Sequence, residues 1–255
     1  MDHLLINIKL LVAYDGTDFS GWQRQKYCST IQGEIEACIS RITQEKISLY
    51  GAGRTDAGVH AEGMIAHFKT SRAIPTEDFS RSLNSMLPGS IRILSVNKVD
   101  DNFHARYSAV GKHYRYTIFT GEIQPPSRRL YSLHIRDDLN LPAVRKCLQQ
   151  LEGTHDFSSF ENSGSRNRED TSGRGAVRTI FQASLSRKDN DLLMFEFTGD
   201  GFLRNMVRNM VGSLLDSGRD RQSPDKFGEI LRSKNRTLAS PAAPPHGLSL
   251  IKVLY

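Results

Sequence analysis

The chain has 255 residues, 38% of them hydrophobic and 24% charged, a composition that excludes intrinsic disorder and suffices for one large domain or two smaller ones. No apolar run approaches the roughly 20 residues of a membrane span, and the N-terminus lacks the features of a signal peptide, so we expect no membrane association. The net charge of +6 lies mainly in the second half, since residues 1–127 carry 14 basic and 13 acidic groups and residues 128–255 carry 20 and 15. This excess is a weak indication of a nucleic-acid partner.

The first half of the chain alternates strand-like and helix-like segments. Apolar alternation and short apolar runs predict strands at residues 5–14, 47–51, 64–69 and 91–99. Thr30 is the predicted N-cap of a helix whose apolar positions recur from Ile31 to Ile42. Pro75 is the predicted first residue of a second helix, which ends at Pro88. The buried stripe predicted for this second helix consists of Phe79, Leu83 and Met86.

The second half is predicted to repeat this plan. Alternation from Lys112 to Thr120 predicts a strand with two distinct faces, and residues 177–186 and 192–198 predict a hairpin. The remaining predicted elements are helices at 141–151, 202–215 and 224–231 and a strand at 248–254. The order strand–helix–strand–strand–helix–strand, occurring twice, indicates an α+β fold of two similar α/β modules. We expect largely antiparallel sheets that form one continuous sheet, with helices packed on one side and an active-site cleft between the modules.

The predicted boundary between the modules lies near Pro125 and Pro126, which interrupt both helix and strand. We therefore expect modules at residues 1–121 and 122–255. Residues 161–175 contain no large apolar side chain and carry three arginines, which predicts a mobile loop.

The densest concentration of chemically informative residues is GAGRTDAGVH, residues 51–60. One interpretation is a structural Gly-rich turn that the Asp side chain closes. A phosphate-binding loop is another, but Asp56 stands where the dinucleotide fingerprint requires its third glycine, and a carboxylate repels phosphate. The third is a catalytic acid on a tight turn, because Arg54 and Asp56 project to the same face of an extended chain and can share one cleft.

This segment, GAGRTDAGVHA, resembles the catalytic signature of the tRNA pseudouridine synthase A family. Three further sets of residues resemble family motifs in the same order. They are Tyr14-Asp15-Gly16-Thr17 with Gly21-Trp22-Gln23-Arg24-Gln25, FHARYSA at 103–109 followed by Lys112, Tyr114 and Tyr116, and Phe202 with Met206-Val207-Arg208-Asn209 and Gly212. The resemblance spans nearly the whole chain.

The resemblance implies an isomerase that converts uridine to pseudouridine at positions 38, 39 and 40 of the tRNA anticodon stem-loop, without a metal or cofactor. By motif match Asp56 is the nucleophile, with Arg54 in the same loop, and Arg208 pairs with Asp56 and keeps it anionic. Tyr114 is the residue that stacks on the flipped uracil, with Tyr116 as second candidate. Without the family context, Tyr114 is a half-buried strand tyrosine and Arg208 a solvated helix arginine. A homodimer, with one tRNA arm touching both subunits, is also implied.

Basic residues are expected to contact the tRNA backbone, which makes binding strongly salt-dependent. The first module then carries the catalytic loop, with Arg24, Arg106 and Lys112 as candidate substrate contacts, and the second module carries a basic RNA-binding surface. The further candidates are Arg115, Arg128, Arg129, Arg166, Arg168, Arg174, Arg178 and Arg204.

Neither the histidines nor the cysteines indicate a metal site. No set of acidic partners at ligand spacing accompanies His60, His67, His104 or His113, so these are expected to be core or RNA-facing residues. Three cysteines, an odd number without a CxxC motif, indicate a reducing compartment, and we expect a cytoplasmic protein.

Two other classes of protein compete with the isomerase. A non-catalytic RNA-binding protein on the same frame is disfavoured because Asp56, Tyr114 and Arg208 are all present. A carboxylate hydrolase acting on a nucleoside or glycoside normally requires a second acid, and the nearest other acid to Asp56 is Glu62.

Overall fold

The computed structural model describes residues 5–73, 75–162, 164, 173–189 and 191–255. The described chain divides into two compact units, one formed by residues up to Val110 together with Ser249–Tyr255, the other by Gly111–Leu248. The division predicted from sequence lies eleven residues later, after residue 121. The strand that follows Val110 pairs from Lys112 to Phe119 with residues 192–199 of the second unit, so this strand belongs to the second unit.

The first unit is built on an antiparallel sheet around its first strand, β1 (Ile6–Tyr14). This strand pairs with β3 (His60–Thr70) on one side and β4 (Ile91–Val99) on the other. Two more strands join β3: the short β2 (Tyr50–Gly51), antiparallel, and β10 (Leu248–Leu254), parallel. Alternate residues of β1 are buried, as its hydrophobic pattern predicts.

The first unit also contains two helices, α1 (Ile31–Thr43) and α2 (Thr76–Met86), of which α2 packs on β4 and α1 packs on α2. The predicted N-cap is confirmed, because the Thr30 hydroxyl accepts a hydrogen bond from the Gly33 amide. Pro75 precedes α2 instead of opening it. The prediction of a buried Met86 was wrong: its side chain is exposed, because the chain leaves the helix there and the extended Leu87 is buried instead.

The second unit contains an antiparallel sheet in the order β5-β9-β8-β7, and the short β6 pairs with β5. The predicted hairpin is confirmed as the pair β8–β9. Three helices, α3, α4 and α5, pack on one another and α3 packs on β8. The bounds are β5 (Gly111–Phe119), β6 (Leu133–His134), α3 (Leu141–Gln149), β7 (Gly153–Asp156), β8 (Val177–Asp189), β9 (Leu192–Gly199), α4 (Met206–Gly218) and α5 (Pro224–Ser233).

One prediction for the second unit needs correction. The helix predicted from Phe202 begins at Met206, because Asn205 takes a left-handed conformation with φ of 60° that no helix can continue through. The second unit contains the predicted strands and helices and, in addition, the short strands β6 and β7. Residues 163 and 165–172 of the predicted polar loop lie outside the described residues.

The architecture is mixed α/β with mostly antiparallel strands, as predicted. Within the described residues, no helix combines the length and the apolar content needed to cross a bilayer.

Candidate active site

Asp56 lies in the segment that links β2 to β3, residues 51–60, here called the Asp56 loop. The loop bends at a tight turn in which the Val59 amide donates to the Asp56 carbonyl at 3.2 Å. Gly58 occupies this turn with φ of +75°, a conformation that favours glycine. The Asp56 side chain is half-buried, whereas that of Arg54 is exposed. The structure thus places an acid at the bend of a constrained turn, directly before a central strand.

Residues 14–22 hold this loop in place through hydrogen bonds and close packing. The Tyr14 hydroxyl lies 2.8 Å from the Thr55 Oγ1 in a buried hydrogen bond. The Trp22 amide donates to the Thr55 carbonyl at 3.1 Å. Gly21 has φ of +90°, and a Cβ there would lie 2.6 Å from the Thr55 carbonyl oxygen. Thr55, which precedes the candidate nucleophile Asp56, is therefore held through both its side chain and its backbone.

The far end of the Asp56 loop is held by a buried polar contact. The Gly16 amide donates to His60 Nδ1 at 3.1 Å, and the same nitrogen lies 3.1 Å from Asp15 Oδ1. Asp15 also accepts hydrogen bonds from the amide and the hydroxyl of Thr17. His60 is a buried core residue that fixes the entry to β3, in agreement with the core interpretation of its sequence.

Arg208 occupies the first turn of α4 in the second unit. Its Nε donates to the Ala243 carbonyl at 2.7 Å and its Nη1 to the Asn205 side-chain oxygen at 3.0 Å. The Arg208 carbonyl in turn accepts from the Ala243 amide at 2.9 Å. Since the guanidinium is half-buried and bonded at two of its nitrogens, it is oriented by the fold and differs from a solvated helix arginine.

Tyr114 lies on β5 opposite Phe197 of β9, with 7% of its surface exposed. Its ring meets that of Phe202 edge to face, with centroids 5.0 Å apart. The edge-to-face contact with Phe202, one of the motif residues, helps to orient the Tyr114 ring.

Tyr116, the second candidate for stacking, shares a strand face with Tyr114 and is fully buried. Its hydroxyl donates to the Pro244 carbonyl at 2.8 Å, and a Cβ on Gly247 would lie 2.6 Å from its ring. Burial raises the pKa of its hydroxyl well above the usual value. Its surroundings are those of a core residue.

The candidate tRNA-contacting residues differ in what holds them. Arg24 forms an ion pair of 2.9 Å with the buried Glu36, Arg106 lies over the exposed Tyr107 ring, and Lys112 is half-buried at the start of β5. In the second unit Arg115 pairs with Glu196 and Arg174 with Asp200. Arg128 lies over the Phe119 ring, Arg129 and Arg178 donate to backbone carbonyls, Arg204 is exposed, and Arg166 and Arg168 lie outside the described residues.

Several residues that position the site were not predicted from the sequence. Thr55, the neighbour of Asp56, is held by the Tyr14 hydroxyl. The Asn205 side chain and the Ala243 carbonyl hold the Arg208 guanidinium. The closely spaced Gly16 and Gly21 were the available signal, since both lie where a side chain would collide with the Asp56 loop. No group of three potential metal ligands occurs among the residues that the structure describes.

Comparison with known proteins shows the family of this chain. The family model described as tRNA pseudouridine synthase matches residues 10–108 and 147–255. Among curated relatives, tRNA pseudouridine synthase A 1 of Desulfotalea psychrophila is 56% identical over 98% of this chain and 99% of that protein. The tRNA pseudouridine synthases A of Acetivibrio thermocellus and Geobacter sulfurreducens are 43% and 42% identical over 98% and 97% of this chain, in each case matching 99% of the relative. The chain belongs to the tRNA pseudouridine synthase family, whose members are isomerases that convert uridine to pseudouridine in tRNA.

Proposed function

We propose that this protein isomerises uridine at positions 38, 39 and 40 of the tRNA anticodon stem-loop, with Asp56 as nucleophile. The observation that supports this role most directly is the bracing of the Asp56 loop, through the Tyr14–Thr55 hydrogen bond and the Trp22 amide. A carboxylate that acts on a reacting atom must be held in one orientation, and these contacts hold its backbone.

The reaction requires one bond to be exchanged for another on the same ribose. In the proposed route an Asp56 carboxylate oxygen bonds to C1′ as the C1′–N1 bond breaks and uracil leaves as an anion. The uracil then turns, its C5 bonds to C1′, and the carboxylate is released. The hydrogen on C5 leaves as a proton to water and N1 takes up a proton from water, so the product is a neutral isomer and release of the C5 hydrogen measures turnover. No step requires an oxidant or a reductant, and we propose that none requires a metal or cofactor.

Two residues of the second unit complete the proposed site. Arg208 is proposed to pair with Asp56 and keep it anionic, which its fixed, half-buried guanidinium supports. Tyr114 is proposed to stack on the uracil after it leaves the helix. Flipping a base costs a few kcal/mol, and stacking on an aromatic ring returns about 1–3 kcal/mol.

The proposal includes a cytoplasmic homodimer that binds the tRNA arm. All three cysteines are free thiols in the structure, consistent with a reducing compartment. Sedimentation of the protein alone measures the oligomeric state directly, and a monomer at micromolar concentration contradicts this part of the proposal.

The experiment that tests the activity is tritium release from carbon-5-tritiated uridine in an unmodified tRNA transcript, with chelator present. We expect release by wild type and none by Asp56→Asn, while tRNA binding by the variant stays within about tenfold of wild type, because one acid contributes to chemistry more than to affinity. Near-normal turnover by Asp56→Asn removes Asp56 from its role. Salt-sensitive tRNA binding without any release by wild type identifies a non-catalytic RNA-binding protein instead.

A further inference from the structure

The first unit carries a cluster of aromatic rings outside the proposed site. The imidazole of His104 lies at its centre, with ring centroids 4.3 Å from Tyr107, 4.5 Å from His67 and 5.7 Å from Tyr50. Tyr50 also stacks on His67 at 5.3 Å. We call these four residues the ring cluster.

The two histidines of the ring cluster act as neutral aromatic rings. His104 Nδ1 accepts from the amides of Arg106 and Tyr107 at 3.1 and 3.3 Å, and His67 Nδ1 accepts from the Ala105 amide at 3.2 Å. A nitrogen that accepts has no proton, so each imidazole is uncharged. Burial and the neighbouring His104 lower the pKa of His67 to about 4, and burial with Arg106 lowers that of His104.

The tyrosines of the ring cluster are unusually open to solvent, 77% exposed for Tyr107 and 52% for Tyr50. They are nevertheless held in place. The turn that carries Tyr107 is closed by the Ser108 amide donating to the His104 carbonyl at 2.9 Å and the His104 amide donating to the Ser108 hydroxyl at 3.0 Å. The two exposed rings are joined through His104 and His67 into one contiguous aromatic patch, the kind of surface that marks binding sites.

Two cations lie over rings in this region. The Arg106 guanidinium lies 5.8 Å from the centre of the Tyr107 ring, and Lys9 Nζ lies 5.6 Å from that of Phe103, which packs on His67. Aromatic faces interleaved with cations are the chemistry of single-stranded nucleic-acid binding, in which rings stack on bases and cations contact phosphates.

The chain itself limits the distance from the ring cluster to the Asp56 loop. Tyr50 forms β2 and lies six residues before Asp56. Even a fully extended stretch of that length spans only about 20 Å. An RNA segment of a few nucleotides covers this distance.

We infer that the ring cluster is a stacking subsite for an unpaired nucleotide of the same tRNA stem-loop whose uridine enters the active site. This inference rests on the proposed function. A nucleobase is favoured over a second copy of this chain because Arg106 lies over the exposed Tyr107 ring and Lys9 lies over Phe103, which packs on His67. Two exposed rings also contribute little to the interface of more than about 1,000 Å² that a stable protein contact requires.

The test compares binding of two RNA probes to Tyr107→Ala, Tyr107→Phe and wild type. One probe is a hairpin with the sequence of a tRNA anticodon arm, and the other is a blunt duplex of the same stem without unpaired nucleotides. We expect Tyr107→Ala to weaken hairpin binding about 5- to 150-fold, the effect of losing one stacked base, and to leave duplex binding within about twofold. Tyr107→Phe keeps the ring and retains the affinity. Tyr131→Ala, which removes an exposed tyrosine of the second unit, serves as the matched control.

Three results overturn the inference: unchanged hairpin binding by Tyr107→Ala, equal weakening of hairpin and duplex, or a changed oligomeric state in sedimentation with RNA binding intact. The last result identifies the ring cluster as an interface between copies. Tritium release by wild type is measured in parallel. Release with unchanged hairpin binding by Tyr107→Ala rejects the subsite alone, whereas absence of release rejects the proposed function.

Discussion

Tyr114 and Tyr116 lie on the same face of β5 but differ in burial, and therefore in whether a base could contact the ring. Tyr116 donates its hydroxyl to a carbonyl and has its ring against the Gly247 backbone, so it is committed to the core. Tyr114 keeps a small exposed fraction and contacts Phe202 edge to face. Strand alternation gives both residues the same orientation, and only the packing around them separates a core ring from a candidate stacking ring.

The proposed stacking by Tyr114 is testable with three substitutions. We expect Tyr114→Phe to keep most of the activity, because the ring remains. Tyr114→Leu fills much of the same volume without a flat ring, so it should stay folded and lose about 5- to 150-fold in kcat/KM. Tyr114→Ala should lose at least as much activity and some stability through a cavity. Tritium release and thermal unfolding are measured together, and equal activity of the Phe and Leu variants contradicts stacking.

At the level of elements, backbone hydrogen bonds link the Asp56 loop to helix α1. The Gly21 and Trp22 carbonyls accept hydrogen bonds from the Ile31 and Gln32 amides at the start of α1, at 3.2 and 3.0 Å. The Trp22 amide donates to the carbonyl of Thr55, the neighbour of Asp56. The 14–22 segment therefore connects the N-terminus of α1 to the Asp56 loop.

Gly21 is a position in this connection at which a side chain would both collide with the Asp56 loop and strain the backbone. Gly21→Ala adds a Cβ 2.6 Å from the Thr55 carbonyl oxygen at a φ of +90°, so we expect a loss of stability of about 1–3 kcal/mol. The displaced turn should lower kcat more than tenfold with little change in KM. Gly89→Ala is the matched control, because its Cβ would meet only the Arg92 guanidinium, at 3.7 Å. Chemical denaturation and steady-state kinetics check both variants. Wild-type kinetics for Gly21→Ala would show that the 14–22 segment does not position the Asp56 loop for the reaction.

The elements show which features of this fold can be predicted from the sequence. Local rules suffice for the Thr30 cap, for the alternation of β1 and for the β8–β9 hairpin, because neighbouring residues determine them. They fail at Met86 and at the start of α4, where the path of the chain after the helix, or a left-handed Asn205, decides the outcome. Asp56, Tyr114 and Arg208 were singled out by motif resemblance, and their supporting contacts come from segments far away in sequence.

At the level of the whole molecule, the net charge of +6 includes basic groups that are already paired with carboxylates. Arg115 and Arg174 have such partners, which reduces their contribution to the attraction of phosphate. Counting basic residues therefore overestimates the number of phosphate contacts.

Salt dependence of tRNA binding measures that number. If about five phosphates are neutralised, raising the salt from about 50 to 200 mM should weaken binding by a factor on the order of several hundred. We expect Arg204→Gln to reduce the slope of log K against log salt by about 0.7–0.9. Arg81→Gln, which removes an exposed arginine paired with Asp78, should leave the slope unchanged. Identical slopes for wild type and Arg204→Gln remove Arg204 from the phosphate contacts.

The parallel pairing of β10 with β3 has a consequence for synthesis of the protein. Ser249 and Leu250 pair with His60 and Ala61, where the Asp56 loop enters β3, and the Tyr255 hydroxyl donates to the Ala105 carbonyl at 2.7 Å. On the ribosome, Ser249 and Leu250 emerge only after all of the second unit has been made. A chain interrupted before residue 248 contains the whole Asp56 loop but lacks the strand that pairs with β3 beside it, so the first unit is completed last.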